Sequence, residues 1–557
     1  MSKLAAFGSG RNKGSDALDT FDFIVVGAGS AGCVVAERLT AGQGGTVLLL
    51  EAGGTDRRFW IRTPIGYGKT FDDPRVNWKY RSEPDPQTGA RQAYYPRGKV
   101  LGGSSSINAM VWCRGLPADY DDWGQAGNPG WNAATAWAAF AALERRKADS
   151  GAISGSGPLW VESRAADHHP ITRHFMASAQ QAGFAVIDDL NADPCEGVAP
   201  YVINTRGGRR WSSADAFLRP ALRRANLVLR TGALIDRVII EQGRATGVRY
   251  ARGGQWFEAR ARREVIVCAG AIGSPAILMR SGIGPADMLR DAGIAVRVAN
   301  AAVGANLQDH LGLDYHYKAN RPTLNQQLGT RAGQVAAGIR YLLNRTGPLS
   351  LSMNQIGGLV RSTPQAARPD IQLYFNPISY SRGTAGKKQL TRPDPWAGFI
   401  IGFNACRPTS QGHVAICASD PQTPPRIVPN YLTTQRDHAD VIAAARVIER
   451  LARTPAVRAI TLAPNGFTPE GADDAAILDD FRARSGTVHH LCGTCRMAPV
   501  DRGGVVDAQL RVHGVAGLRV IDASIFPNIT SANTHAPTVM TAWRGAEIIL
   551  TSLYGAS

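Results

Sequence analysis

An α/β fold with a parallel sheet near its N-terminus is what this sequence predicts, and three observations in one short stretch predict it. A buried-strand signature, Phe21–Gly27 (FDFIVVG), runs into the glycine-rich turn GAGSAG at Gly27–Gly32. A helical stretch follows, with Val34, Val35 and Leu39 on one face. A second apolar run, Thr46–Leu50 (TVLLL), then ends in Glu51. Continuous apolar runs of this length suit parallel strands buried on both faces. Strand, glycine turn, helix, second strand and terminal acid together make a βαβ unit of the Rossmann type.

Each residue of that unit has a physical task. Gly27 permits the tight turn, Gly29 lets backbone approach a pyrophosphate without a Cβ, and Gly32 lets the helix pack close to the strand. Ser30 and Ala31 open the helix, whose positive end favours phosphate. Glu51, with Ala52 beside it, stands where a carboxylate accepts hydrogen bonds from adenosine-ribose hydroxyls. The same acid would repel a 2′-phosphate, which argues against NADP and leaves FAD and NAD open at this point.

Composition narrows the class. With 557 residues, 44% hydrophobic and 19% charged, the chain is long enough for two domains and folded in character. No run of 18 apolar residues occurs, so no transmembrane helix is expected, although peripheral membrane association stays open. The first residues lack the apolar stretch of a secretory signal, so residues 1–19 read as a flexible tail and the expected compartment is the cytoplasm. The net charge of +17 comes from scattered arginines, densest at Arg206–Arg210 and Arg260–Arg263. Aromatic residues do not interleave with them, so nucleic acid is not an expected partner. Eight cysteines in such a chain do not form a disulfide framework, and Cys492–Cys495 is a lone CxxC without metal-ligand companions. No metal is expected.

Two further glycine-rich segments carry more information. Gly98–Asn108 (GKVLGGSSSIN) includes Gly98, Leu101, Gly103 and Ser104, and its apolar flanks are wrong for a surface loop. Gly270–Gly284 (GAIGSPAILMRSGIG) follows the apolar run Glu264–Cys268 and again reads as strand, turn and helix. At these residues the sequence resembles the glucose–methanol–choline (GMC) oxidoreductases, from about Phe21 to Ile549 and including GANLQDH at Gly304–His310. The resemblance implies an FAD-binding domain assembled from residues 20–165, 225–310 and 475–557. It also implies an α+β substrate domain on an antiparallel sheet, from residues 166–224 and 311–474.

It further implies that the glycine–serine segment and Asn108, Ala109, Met110 and Val111 lie along the flavin, and that the backbone at Ile235 holds the adenine. Asp522 and Ala523 match positions that contact FAD. Some members attach FAD through a histidine just before the motif's asparagine. Ile107 stands there in this chain, so noncovalent FAD is expected.

The C-terminal stretches Val488–Met497 (VHHLCGTCRM) and Asp522–Met540 hold the candidate catalytic residues. His490 matches the catalytic base of the family, and His535 the place of a second histidine or an asparagine. An alcohol hydroxyl is a weak acid, so a neutral imidazole must take its proton as hydride leaves the α-carbon for flavin N5. His490 is therefore expected as base and His535 as the group that positions the substrate oxygen, with proton sharing between them. His489 is expected as a pocket wall, and the other eight histidines are given no catalytic role. Pro537 is expected to open a helix over Thr538–Leu550, with Thr534 or His535 as the cap region and the helix dipole aimed at the reduced flavin. Leu491 and Ala498 replace a usual proline and glycine, which suggests a differently shaped loop around His490.

The expected function is oxidation of an alcohol, primary by preference, to the aldehyde. The flavin is returned by a quinone-type acceptor or by O2. An oxidase releasing hydrogen peroxide is the nearest alternative, with hydroxynitrile lyase and photodecarboxylase activities more remote on the same fold.

Overall fold

The computed structural model describes residues 19–42, 44–382 and 390–555, with no side-chain description at 381–382 and 390–391. The expected tail at residues 1–19 lies outside the described residues, apart from Asp19, which begins a strand.

Two seven-stranded sheets organise the chain. In the first, strands Leu227–Thr231, Val47–Glu51, Asp19–Val26 and Gln255–Val267 lie parallel in that spatial order. The 13-residue strand Gln255–Val267 serves two neighbours on its far side. Its first half pairs antiparallel with Arg244–Arg252, and its last three residues pair parallel with Leu518–Val520. The apolar runs that announced the βαβ unit are fully buried, Phe23–Val26 and Val47–Leu50 among them. Helix Ser30–Thr40 covers this sheet, and the C-terminal helix His535–Tyr554 packs on that helix in turn.

The glycine turn is dictated by close approach. Gly27 sits at φ +98°, and a Cβ there would lie 2.6 Å from the Cys268 carbonyl oxygen. A Cβ on Gly32 would lie 1.8 Å from the Gly27 carbonyl oxygen, so only glycine lets the helix begin this near the strand.

The second sheet is antiparallel throughout, in the order Thr461–Pro464, Leu311–Ala319, Gly398–Ala405, Ile371–Asn376, Ile356–Val360, Gly197–Pro200, with Gly486–Thr487 also pairing with Leu311–Ala319. Strand residues alternate between its faces. Ile371, Leu373 and Phe375 enter a core covered by helix Gln435–Ala452, where Phe175 and Phe375 stack 4.8 Å apart. Tyr374 and Asn376, on the opposite face, line the cavity described below. This is the antiparallel substrate-side sheet that the sequence resemblance implies.

The boundaries differ from expectation at two places. Ala214, Phe217, Leu218 and Ala221, assigned by sequence to the substrate unit, pack in the first core, because the π-helical turn Ala214–Leu218 lies on helix Ser30–Thr40. Conversely Phe481, assigned to the FAD unit, packs in the second core against Phe403 at 5.8 Å. Among the described residues no helix is long and apolar enough to cross a membrane.

The steric reading of the turn is directly testable. Gly32→Ala should destabilise the protein by ~3 kcal/mol, at the upper end for overpacking. Gly54→Ala, whose new Cβ meets nothing within 4 Å, should leave thermal stability unchanged. Equal melting temperatures for the two variants would refute it.

Candidate active site

A cavity of about 1240 Å³ runs between the two sheets. It exceeds the ~300–1,000 Å³ of ordinary small-molecule sites, as a cofactor and a substrate together require. At one end it is lined by Gly27, Gly29, Ser30, Ala31, Glu51 and Ala52. Gly32 lies behind the turn, not on the wall. A Cβ on Gly103 would come 2.6 Å from the Gly29 Cα, whereas one on Gly29 would meet only that Gly103 Cα, at 3.9 Å. Helix Ser30–Thr40 begins there with no side-chain cap and no acid in its first turn, so its N–H groups are left for an anion. Bare glycine backbone and an uncapped helix end fit a pyrophosphate. Glu51 is buried and accepts from the N–H of Ala28 (2.9 Å) and of Gly53 (2.7 Å). Burial nevertheless pushes its carboxyl up to about 7. Ile235 lines the same end, its carbonyl accepting from Arg280 Nη2 at 3.3 Å.

The middle of the cavity is walled by Gly98, Gly103, Ser104, Asn108, Ala109, Met110 and Val111. Leu101 stands behind them, partly buried against the first core. This wall is braced by Arg210, which the sequence reading passed over as part of an arginine cluster. Arg210 is fully buried and donates to the carbonyls of Ile61 (3.0 Å), Ser105 (3.0 Å) and Asn108 (2.7 Å), and to Asn108 Oδ1 (2.8 Å). Burial pulls its guanidinium down to about 9, which still leaves it charged at neutral pH. Ile107 packs with Ile61, Val76 and Val100 and offers no atom for covalent attachment.

At the far end, His490 is held by two residues of the GANLQDH stretch. Asp309 Oδ1 accepts from the His490 backbone N–H at 2.7 Å. Its other oxygen accepts from Tyr431 Oη and Thr487 Oγ1, each at 2.5 Å. His310 Nδ1 faces His490 Nδ1 at 2.8 Å. Gln308 and Cys492 exchange both backbone hydrogen bonds at 3.0 Å, locking the two segments together. His489 bends the chain with φ +71° and packs edge-on against Phe71 at 5.3 Å, forming a pocket wall. Leu491, in place of proline, is buried against Tyr95, Ala271, Ile272 and Leu307, so the substitution serves packing.

These contacts fix the tautomer. His310 Nε2 lies 2.9 Å from the Cys406 carbonyl oxygen, which can only accept, so His310 carries its proton on Nε2. Its Nδ1 is then an acceptor, and His490 must donate from Nδ1. The lone pair of neutral His490 is therefore on Nε2, where Asn533 Nδ2 donates to it at 3.0 Å. Asn533 is oriented by Gln372 Nε2, which donates to Asn533 Oδ1 at 3.1 Å. Burial, with the nearby His310, His489 and Arg97, holds the His490 pKa well below the usual imidazole value. His490 thus presents an unprotonated Nε2 at neutral pH, as a general base must.

His535 lines the same cavity, edge-on to Trp112 at 5.6 Å, with its pKa pushed down to about 4 by burial and then by Arg210. The ring hydrogen-bonded to His490 is His310, because the Nδ1 side of His490 faces the GANLQDH stretch. His310 was among the histidines given no catalytic role; its place in a motif adjoining Asp309 was the available signal. The C-terminal helix starts at His535, three residues before the expected Thr538, and has no side-chain cap. Thr534 and Thr538 line the cavity, joined by a Thr538 Oγ1 bond to the Thr534 carbonyl (2.6 Å), and the helix end is free to face negative charge. Asp522 and Ala523 line the cavity too. Asp522 accepts from Gly270 N–H (2.8 Å) and Ser274 Oγ (2.6 Å), and the Ala523 carbonyl accepts from Gly493 N–H (3.1 Å). Cys492 and Cys495 are buried free thiols. Among the described residues no cluster suited to a metal ion occurs.

Comparison with known proteins agrees with this geometry. Profiles of the GMC oxidoreductase family match residues 21–312 and 408–542. The chain is 38% identical to a GMC-type oxidoreductase of Mycobacterium tuberculosis, over 95% of this chain and 99% of the relative. It is also 38% identical to human mitochondrial choline dehydrogenase, over 96% and 91% respectively. Pyridoxine 4-oxidase from Mesorbium loti superposes with a TM-score of 0.83 at 30% identity, covering 94% of this chain and 98% of that one.

FAD is the cofactor that this cavity takes. With Ile107 in place of a nucleophile, acid or heat should release all the flavin into solution. Yellow colour retained in the washed precipitate would show a covalent link.

Proposed function

This chain belongs to the GMC oxidoreductases, FAD-dependent enzymes acting on CH–OH donors, and on that premise we propose that it oxidises a primary alcohol to the aldehyde with His490 as base and returns its electrons to a quinone-type acceptor. The observation that carries this reading is the fixed tautomer of His490, whose Nε2 lone pair is held at the cavity wall. FAD, when bound, supplies the two-electron acceptor for hydride from the alcohol's α-carbon.

The chain's residues handle the proton. The substrate hydroxyl replaces the Asn533 amide as donor to Nε2, and His490 takes its proton. The resulting imidazolium keeps its Nδ1–H on His310 Nδ1, which spreads the charge toward the Cys406 carbonyl. Asp309, accepting the His490 backbone N–H, keeps the loop that carries the ring in place during the transfer, while His310 fixes the ring's orientation. His535 and the displaced Asn533 amide are the groups near at hand to hold the substrate oxygen, and orientation of this kind supplies much of the rate. Tyr67, Phe71, Met353 and Tyr374 line the cavity with largely apolar surface that suits the carbon body of an alcohol, and Asp314 and Asp394 lie on its wall as well. Overall likeness to choline dehydrogenase supports a dehydrogenase more than it supports choline as substrate.

The test is anaerobic bleaching of the flavin by a panel of primary alcohols, followed by dye-coupled and peroxide assays with the best one. No bleaching by any alcohol would overturn the proposal, and peroxide formed at the full turnover rate would replace the quinone-type acceptor with O2.

His490→Ala should keep FAD and slow flavin reduction by about 10²–10⁴-fold. Because the His490 pKa is depressed, the parent rate should hold as pH falls through 6.5 and decline only below it. A decline centred at or above 6.5 would contradict the buried, neutral base.

His535→Asn should retain most of the reduction rate, since an amide can still hydrogen-bond the substrate oxygen, whereas His535→Ala should lose it without losing FAD. Full activity in His535→Ala would leave His490 and Asn533 as sufficient.

A further inference from the structure

Helix Arg331–Asn344 is built the wrong way round for a surface helix. Its buried residues are Ala337 and Tyr341, a narrow seam at i, i+4 spacing. Val335, Ile339, Leu342 and Leu343 fall on the opposite side at helical spacing, and they are 61%, 53%, 58% and 75% exposed. The short helix Phe59–Arg62 lies beside it and adds Phe59 (52% exposed) and Trp60 (41%). A groove lined by Arg57, Arg58, Phe59, Arg209, Leu342 and Arg345 joins the two helices, and no carboxylate lines it. Two other arginines on its wall, Arg62 and Arg219, are neutralised from behind by Asp56 and Asp215. Arg57, Arg58, Arg209 and Arg331 form no ion pair among the described residues.

Exposed apolar surface of this extent on a monomer marks a binding face. The arginines around it decide what binds. We propose that this face docks on an anionic phospholipid bilayer, with Val335, Ile339, Leu342, Leu343, Phe59 and Trp60 entering the headgroup boundary and the groove arginines meeting lipid phosphates. An apolar helix face rimmed by basic residues is the pattern of interfacial helices. At 14 residues the helix is about 21 Å long, enough to lie in the interface and too short to span it. Self-association through the same face would bring two arginine-lined grooves together, so like charge opposes a second copy, and the chain's net charge of +17 favours an anionic surface. A quinone acceptor dissolves in that same bilayer, but the docking itself does not depend on which acceptor is used.

The test is flotation of the FAD-loaded enzyme with phosphatidylglycerol–phosphatidylcholine vesicles, beside vesicles of phosphatidylcholine alone, with light scattering on the free protein. The enzyme should float with the anionic vesicles, more weakly as salt rises, and at least tenfold less with phosphatidylcholine alone. Ile339→Asp with Leu343→Asp should cut binding at least tenfold while melting temperature and flavin reduction stay at parent values. No flotation of the parent, undiminished binding of the double variant, or a dimer that the double variant dissolves would each overturn the proposal.

Discussion

Asp309 and His310 grip His490 at two points, one at its backbone N–H and the other at its ring, and the chemistry of the cavity depends on that grip. Either contact alone would leave a freedom: a pinned backbone with a rotating ring, or an oriented ring on a mobile loop. Together they fix position, tautomer and direction. The grip is rigid because it continues outward, through Tyr431 and Thr487 on Asp309 and through the Cys406 carbonyl on His310. A charged base so deeply buried would be costly, and the structure meets that by keeping the imidazole neutral until substrate arrives.

Around this point the two sheets divide the labour. The parallel sheet offers backbone, in the glycine turn, the Gly98–Asn108 wall and two uncapped helix ends, all suited to an anionic and flat cofactor. The antiparallel sheet offers side chains, with Gln372, Tyr374 and Asn376 projecting from one face while their odd-numbered neighbours fill the core behind. Arg210 joins the halves of the cofactor wall as a buried cation with four hydrogen bonds, three of them to carbonyls and none to a carboxylate.

Much of this was legible in the sequence, for physical reasons. Glycines demanded by backbone contact leave a fixed spacing, so Gly27 and Gly32 announce the turn in the sequence itself. Apolar runs buried on both faces announced the parallel strands. The candidate catalytic histidines were legible because a motif surrounds each of them. What stayed hidden depends on meetings between distant segments. Asn533 and Gln372 are 161 residues apart, and His310 and His490 are 180 apart. No local pattern says that these will touch. Arg210 was hidden differently: in sequence it is one arginine among several, and only burial separates it from its solvated neighbours. The boundaries at Phe217 and Phe481 moved because an aromatic side chain belongs to whichever core it fills.

The long strand Gln255–Val267 has a further consequence, which concerns the order of assembly. Its first half is satisfied by a neighbouring hairpin only a few residues away, but its last three residues wait for Leu518–Val520. During synthesis the N-terminal part of the sheet can form while most of the chain is still unmade, yet its edge stays open for some 250 residues more. The segment that closes the edge leads within two residues into Asp522 and within fifteen into His535, and it also draws the helix His535–Tyr554 onto Ser30–Thr40. A nascent or truncated chain therefore holds a partly built nucleotide cradle with an unpaired strand edge, a species prone to mispairing. Completion of the cradle and arrival of Asp522 and His535 at the cavity wall are one event, so the cavity is closed only by the final tenth of the polypeptide.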